Sequence, residues 1–219
     1  MNNIFSYDNP FIRGINKVVD FACLALLWGI FSIPVITLGT STTAFYYTFN
    51  KVIRKDNGYL WKSFWHAFKA NFKQSTLLFL IQIVIYAFSI FNCYVAFLMY
   101  QSLLPSFVCW VIWGIGIGIV MWTCCWIPYT ARFNDSVKTV IKNSGVMTLM
   151  NLHWALLVLI MLVASVVLVY IFVFGILLIP ALYLAGSCWI YEKIFGKYSA
   201  LDEDDVVAEE WSVEEQQGV

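Results

Sequence analysis

Long apolar runs and short basic stretches alternate along this chain. Residues 74–131 contain no Lys, Arg, Asp or Glu, and neither do residues 143–191. A helix crosses the hydrocarbon core of a bilayer with about 20 mainly apolar residues, so each run is long enough for two crossings. The apolar segments within them are 75–100, 107–129 and 153–191, with QSLLP at 101–105 as a break. At a helical rise of about 1.5 Å per residue, segment 153–191 drawn out straight would be about twice the hydrocarbon thickness. That excess predicts a reversal near Phe174 and Gly175. One further apolar segment, VVDFACLALLWGIFSIPVITLG, follows Lys17.

How often the first region crosses decides the helix count. If residues 17–55 cross once, the bundle has five helices, and Arg13 and Lys17 lie opposite the later basic stretches. If they cross twice, turning between residues 34 and 40, it has six. The return leg, 40–53, spans only about 21 Å as a helix and needs protein neighbours or a thinned bilayer. The placement of basic residues favours six. Lys51, Arg54, Lys55, Lys62, Lys69 and Lys73 fall in 51–73, and Arg132, Lys138 and Lys142 in 132–142. QSLLP and the stretch around Gly175 hold none. Lys and Arg collect in cytoplasmic loops, which puts both basic stretches and the C-terminus inside, and two crossings bring the N-terminus there as well. The expected architecture is all-α: a polytopic transmembrane helical bundle over residues 1–198, with six helices (alternatively five) as three hairpins. An amphipathic helix, 59–74, and a basic loop, 132–148, lie on its cytoplasmic side.

Composition strengthens the membrane reading. Only 12% of the residues are charged and 61% are hydrophobic, whereas about a quarter of an ordinary soluble domain is charged. The formal net charge of +0 hides an asymmetry. Asp202, Glu203, Asp204, Asp205, Glu209, Glu210, Glu214 and Glu215 crowd the last segment, leaving a basic body. Such an acidic block is usually solvated and without structure, so 199–219 is expected to be a disordered cytoplasmic tail. Cys23, Cys93, Cys109, Cys124, Cys125 and Cys188 all sit in apolar segments, as small hydrophobes rather than a disulfide framework. The first 16 residues are too polar for a secretory leader and no small-residue cleavage site follows them, so the first apolar segment is expected to be a retained helix.

The stretch YLWKSFWHAFKANFKQ, 59–74, stands out from its surroundings. Trp61, Phe64, Trp65, Phe68 and Phe72 repeat at helical spacing on one face, with Lys62, His66, Lys69 and Lys73 on another. Such a helix is expected to lie on the membrane, its rings at the acyl boundary and its ammonium groups toward anionic headgroups, or to meet a partner's helix. KDNG before it predicts a turn. No HExxH, GxSxG or GxxxxGK[ST] occurs. His66 and His153 are far apart in sequence. Asp20 follows Lys17 by three residues and is expected to pair with it. Gly114 and Gly118 in WGIGIGI form a small-xxx-small helix contact rather than a nucleotide loop, which would follow a strand. The hydroxyls of Ser32, Thr37, Thr40, Ser41, Thr42 and Thr43 either pack against helices or line a small polar cavity. Pro34, Pro128 and Pro180 can open a turn of backbone in apolar helices. The chain reads as non-enzymatic, with no cofactor, metal or nucleic-acid partner.

Ser32-Ile33-Pro34, Thr37, Gly39, Thr43-Ala44, Gly58-Tyr59, Phe64, Phe68-Lys69 and Asn71-Phe72-Lys73 together resemble the YesL-like family of bacterial integral membrane proteins, a domain-of-unknown-function family. The motif region covers residues 5–75, with Pro34, Thr37, Gly39, Thr43 and Ala44 as its packing positions. The resemblance implies a cytoplasmic-membrane protein of a Gram-positive-type bacterium, linked with carbohydrate-uptake ABC transporters. It supplies no catalytic or binding residues. The expectation it raises is a non-catalytic accessory subunit of an oligosaccharide ABC importer, with permease subunits as partners. The alternatives are a small solute carrier or channel, and a sensor or regulator of sugar uptake acting through the acidic tail.

Overall fold

The computed structural model describes residues 10–98, 103–133 and 135–217. Helix α1 is Pro10–Ser32, and a 3-10 turn, Val35–Thr37, leads into α2, Leu38–Thr48. A π-helical turn, Phe49–Arg54, prolongs α2. Then come α3 (Leu60–Leu98), α4 (Leu103–Arg132), α5 (Val137–Met150), α6 (Leu152–Ile171) and, after a 3-10 turn at Val173–Gly175, α7 (Leu178–Gln217). Among the described residues there is no strand.

Four of these helices contain stretches long and apolar enough to cross a membrane: Ile12–Ser32, Leu60–Asn92, Trp113–Arg132 and Leu152–Ile171. Their outer faces carry large apolar side chains in the open, among them Val84 at 67%, Phe88 at 68% and Trp110 at 77% exposure. Contiguous apolar surface on this scale is stable in lipid and not in water, so this is a membrane protein. The last apolar run reverses at Val173–Gly175, as its length requires.

Sequence sets each boundary. Pro34 disfavours helical backbone in the residue before it, and α1 ends at Ser32. Thr37 then donates its hydroxyl to the carbonyls of Phe31 and Pro34, 2.7 Å each, satisfying acceptors that a helix end leaves open. Asp56 and Gly58 adopt positive φ, 49° and 90°, conformations tolerated by Asp and natural to Gly. They form the turn that KDNG predicts. No Gly or Pro interrupts Leu60–Leu98, so the basic-aromatic stretch and the apolar segment after it make one helix about 58 Å long. The expectation of a separate helix 59–74 lying on the membrane is corrected accordingly. Ser136 caps α5, accepting from the Thr139 amide, so most of the region expected as a loop over 132–148 is helical. The break expected at 101–105 lies partly outside the described residues, and the chain is already helical from Leu103. Residues 199–217, expected to be disordered, continue α7 as helix, in keeping with their glutamates and glutamines.

Helix α2 is the centre of the bundle. Gly39 through Tyr46 are all buried, and Thr48 with them. It runs antiparallel to α1: Trp28 donates its indole N–H to Thr42 at 3.2 Å, Ser32 bonds Ser41 at 3.1 Å, and Lys17 reaches Asp56 beyond the far end of α2. Lys17 thus pairs with Asp56 rather than with Asp20. Against α3, a Cβ built on Gly39 would stand 2.9 Å from Phe79 Cβ and 3.1 Å from the Ser75 carbonyl oxygen. Only a residue without a side chain permits that approach. Gly114 and Gly118, by contrast, have nothing within 4 Å of such a Cβ. Among the described residues, the helix contact expected there is not made.

These two sites give opposed expectations. Gly39→Leu should cost about 1–3 kcal/mol through overpacking, while Gly114→Leu should stay within about 0.5 kcal/mol of wild type. Thermal unfolding in a mild detergent, followed by tryptophan fluorescence, compares them directly. Equal losses would mean that the α2–α3 approach does not limit stability.

Candidate functional site

The basic-aromatic stretch divides between interior and surface. Phe64 and Phe68 are buried, and Phe31 of α1 packs on Phe64, Trp65 and Phe68 with ring centroids 5.6, 5.5 and 5.2 Å away. Trp65 is half-buried, lies parallel to Phe68, and carries the Lys69 ammonium 5.0 Å from its ring centroid. Trp61 is 59% exposed, Phe72 sits at the surface, and Lys62, Lys69 and Lys73 are exposed. The five aromatics expected on one outward face are therefore not equivalent. Phe64 and Phe68, with the buried Ser63 and Ala67, clamp α3 to the body, and Trp61, Lys62, Lys69, Phe72 and Lys73 are presented outward.

The packing positions of the first region gather around α2. Pro34 stands at its entrance and Thr37 closes α1. Gly39 makes the close approach, and Thr43 bonds Ser75 at 3.2 Å beside the buried Ala44. The hydroxyls of this segment are engaged in helix contacts. Thr42 and Thr43 bond back to the carbonyls of Leu38 and Gly39, Thr40 meets Thr76 at 3.1 Å, and Ser41 donates to the Trp28 carbonyl. Hydroxyls satisfied in this way let helices pack closely within a bilayer.

Charged groups from distant parts of the chain converge at the end of the bundle away from Pro34. Arg13 and Lys17 of α1 both reach the Asp56 carboxylate at 3.0 Å. Glu192 of α7 accepts from Arg132 at the end of α4 at 2.7 Å, and Arg54 of the π-helical turn lies 3.9 Å from the same oxygen. The Glu192 side chain is only 14% exposed. Ring faces complete its surroundings: the Arg54 guanidinium lies 5.1 Å from the centroid of Trp189, and Arg132 lies beside Phe133 and Phe195. Such contacts favour a cation partly withdrawn from water.

Beside this cluster opens a cleft of about 370 Å³, with Tyr47, Asn50, Lys51, Lys55, Arg132 and Glu192 in its walls. The π-helical turn forms one wall. Its wider winding, seen in the Lys55 amide bonded to the Asn50 carbonyl, buries Phe49 and Val52 while Asn50 and Lys51 line the cleft. Turns of this kind occur often at functional sites. Arg54 donates to Asn50 Oδ1 at 2.7 Å, and Lys51 donates to the Tyr47 hydroxyl at 3.2 Å. Among the described residues, one carboxylate thus faces several cations. Nothing in the sequence spacing announces this cleft, because its walls come from residues 46–57, 128–132 and 192. The available signal is Glu192 itself, the sole acid between Asp135 and the acidic block. Among the described residues no group of three or more His, Cys, Asp and Glu side chains is placed to hold a metal ion.

Residues 21–93 match the family described as "Protein of unknown function, DUF624". This stretch is similar to that family. It takes in the second half of α1, all of α2 and α3 nearly to its end, and agrees with the resemblance read from the motifs of residues 5–75. No curated protein matches the chain, and no solved structure does. Within the DUF624 match lie Tyr47, Asn50, Lys51 and Lys55 of the cleft and the whole of the basic-aromatic stretch, whereas Arg132 and Glu192 lie outside it.

The Lys17 ammonium hydrogen-bonded to Asp56, with Arg13 beside it, holds the Asp56 carboxyl below the usual carboxylate range. A depressed carboxyl pKa contributes stability above its unfolded value, about 4, and loses it as pH falls through the folded value. Asp56→Asn should therefore lower the melting temperature at neutral pH, and the gap to wild type should close as the pH drops below about 4. A gap that persists in acid would assign the effect to something other than these ion pairs.

Proposed function

We propose that this chain is a non-catalytic accessory subunit of a bacterial carbohydrate ABC importer. It crosses the cytoplasmic membrane six times as three hairpins, with its charged end in the cytoplasm. One observation carries the reading: the basic groups of α1, the π-helical turn and α4 gather at a single end, and α3, anchored by Phe64 and Phe68, presents Trp61, Lys62, Lys69 and Lys73 outward along its first turns. A rigid strip of exposed aromatics and lysines suits docking, since Trp and Tyr anchors carry a large share of interface energy. Segregated basic residues support the cytoplasmic orientation. The link to sugar import rests on the YesL-like resemblance. The carrier reading gains little from Thr40, Ser41, Thr42 and Thr43 of α2, whose hydroxyls are spent on their own and neighbouring helices.

Affinity purification in mild detergent, from native cells grown on complex carbohydrate, tests the proposal. Importer permease subunits should accompany the wild-type protein in near-stoichiometric amounts. Trp61→Ala combined with Lys69→Glu should cut their recovery by about tenfold, the effect of losing one interface hot spot. Recovery of the protein alone, from cells with a working importer, would contradict the reading.

A further inference from the structure

We infer that the cleft between the π-helical turn and the ends of α4 and α7 binds a phosphate group. The charge balance of its walls supports this. Among the described residues, Lys51, Lys55 and Arg132 face a single carboxylate, Glu192, which is already held by Arg132 and Arg54. Lys51 has a neutral partner, the Tyr47 hydroxyl, beneath an ammonium that carries three protons. Its cation–π contact with the Tyr47 ring, 5.3 Å to the centroid, fixes the side chain without neutralising it. An anion entering the cleft would thus meet positive charge already positioned.

The donors around that charge are the right kind for a tetrahedral oxyanion. Asn50 spends its Oδ1 on Arg54, which leaves its amide N–H groups to donate. The Tyr47 hydroxyl accepts from Lys51 and still has its own proton to give. Charge-assisted hydrogen bonds from ammonium groups to phosphate oxygens are among the stronger ones available to a protein. The volume of about 370 Å³ falls in the range of small-molecule sites and has room for the group that carries the phosphate. Tyr46, Pro128 and Ala131 give that group apolar wall to lie against. Two sources share this chemistry. One is the headgroup of an anionic phospholipid, since the cleft opens at the charged end of a membrane protein. The other is a small soluble phosphate compound.

The test uses the full-length protein in an uncharged detergent and in bilayer nanodiscs. The soluble arm measures binding of inorganic phosphate and of glycerol 3-phosphate by calorimetry. The lipid arm compares thermal stability in nanodiscs of phosphatidylcholine alone with nanodiscs containing phosphatidylglycerol. Lys51→Met with Lys55→Met should weaken whichever ligand binds by about tenfold or more, the loss of one charge-assisted bond. Lys138→Met with Lys142→Met, which removes equal charge from α5, should leave binding unchanged. Lys55→Met alone, at an exposed position, serves if the double variant is not monodisperse. A response to the soluble phosphates that depends on Lys51 and Lys55 assigns the site to a free ligand; one confined to phosphatidylglycerol assigns it to a headgroup. No response in either arm, or equal weakening by the α5 pair, overturns the site. The inference stands apart from the importer reading, because neither arm requires a protein partner.

Discussion

Everything else in this bundle is arranged around how closely α2 can approach its neighbours. The stretch Gly39, Thr40, Ser41, Thr42, Thr43 and Ala44 gives the first turns of α2 little side-chain bulk, and Phe45 and Tyr46 fill the core after it. Inside a bilayer the hydrophobic effect does little to hold helices together, so contact area and satisfied polar groups decide. Gly39 brings backbone to backbone at Ser75, and the hydroxyls on both sides find partners there: Thr40 with Thr76, and Thr43 with Ser75. An unsatisfied polar group at this depth would cost several kcal/mol. The same chemistry that shortens the contact therefore also selects it. Because α2 is fixed against α1 and α3 together, the chain leaving it must emerge beside the start of α1.

That emergence is what builds the charged end. The π-helical turn lies directly beyond α2, so its Asn50, Lys51 and Arg54 are positioned by the core helix rather than by a loose loop. Arg54 and Arg132 meet over Glu192, tying the first hairpin to α4 and α7. Tyr129 donates to Asp135 at 2.6 Å and accepts from Asn143 at 2.9 Å, fastening α5 beneath α4. The cleft is the space left where these elements meet. Its positive charge comes from Lys51, Lys55 and Arg132; its shape follows from α2.

Much of this architecture was legible in the sequence, for specific reasons. Long uncharged runs and the length of 153–191 disclosed the helices and the reversal at Val173–Gly175. Ser32-Ile33-Pro34 marked the end of α1, and KDNG marked the turn before α3. The fate of the basic-aromatic stretch was not legible. Helical periodicity identified a face but not what covers it, and Phe31, distant in sequence, turned Phe64 and Phe68 inward. Nor does periodicity see where one helix ends when no Gly or Pro intervenes, and so α3 was expected as two pieces. Gly114 and Gly118 matched a packing pattern that finds no partner among the described residues. The cleft was hidden for a simpler reason: charge pairing between Arg54, Arg132 and Glu192 is a product of topology, and no local spacing encodes it.

The central claim is that α1 and α2 fold back on each other and return the chain to the side from which it started. Single cysteines at Gly14 and Asn57, in a background lacking the native cysteines, bracket that hairpin. Labelled with a membrane-impermeant maleimide, both should be protected in intact spheroplasts and reactive in inside-out vesicles. Reaction of one position from each side of the membrane would mean that this region crosses once, and would contradict the account.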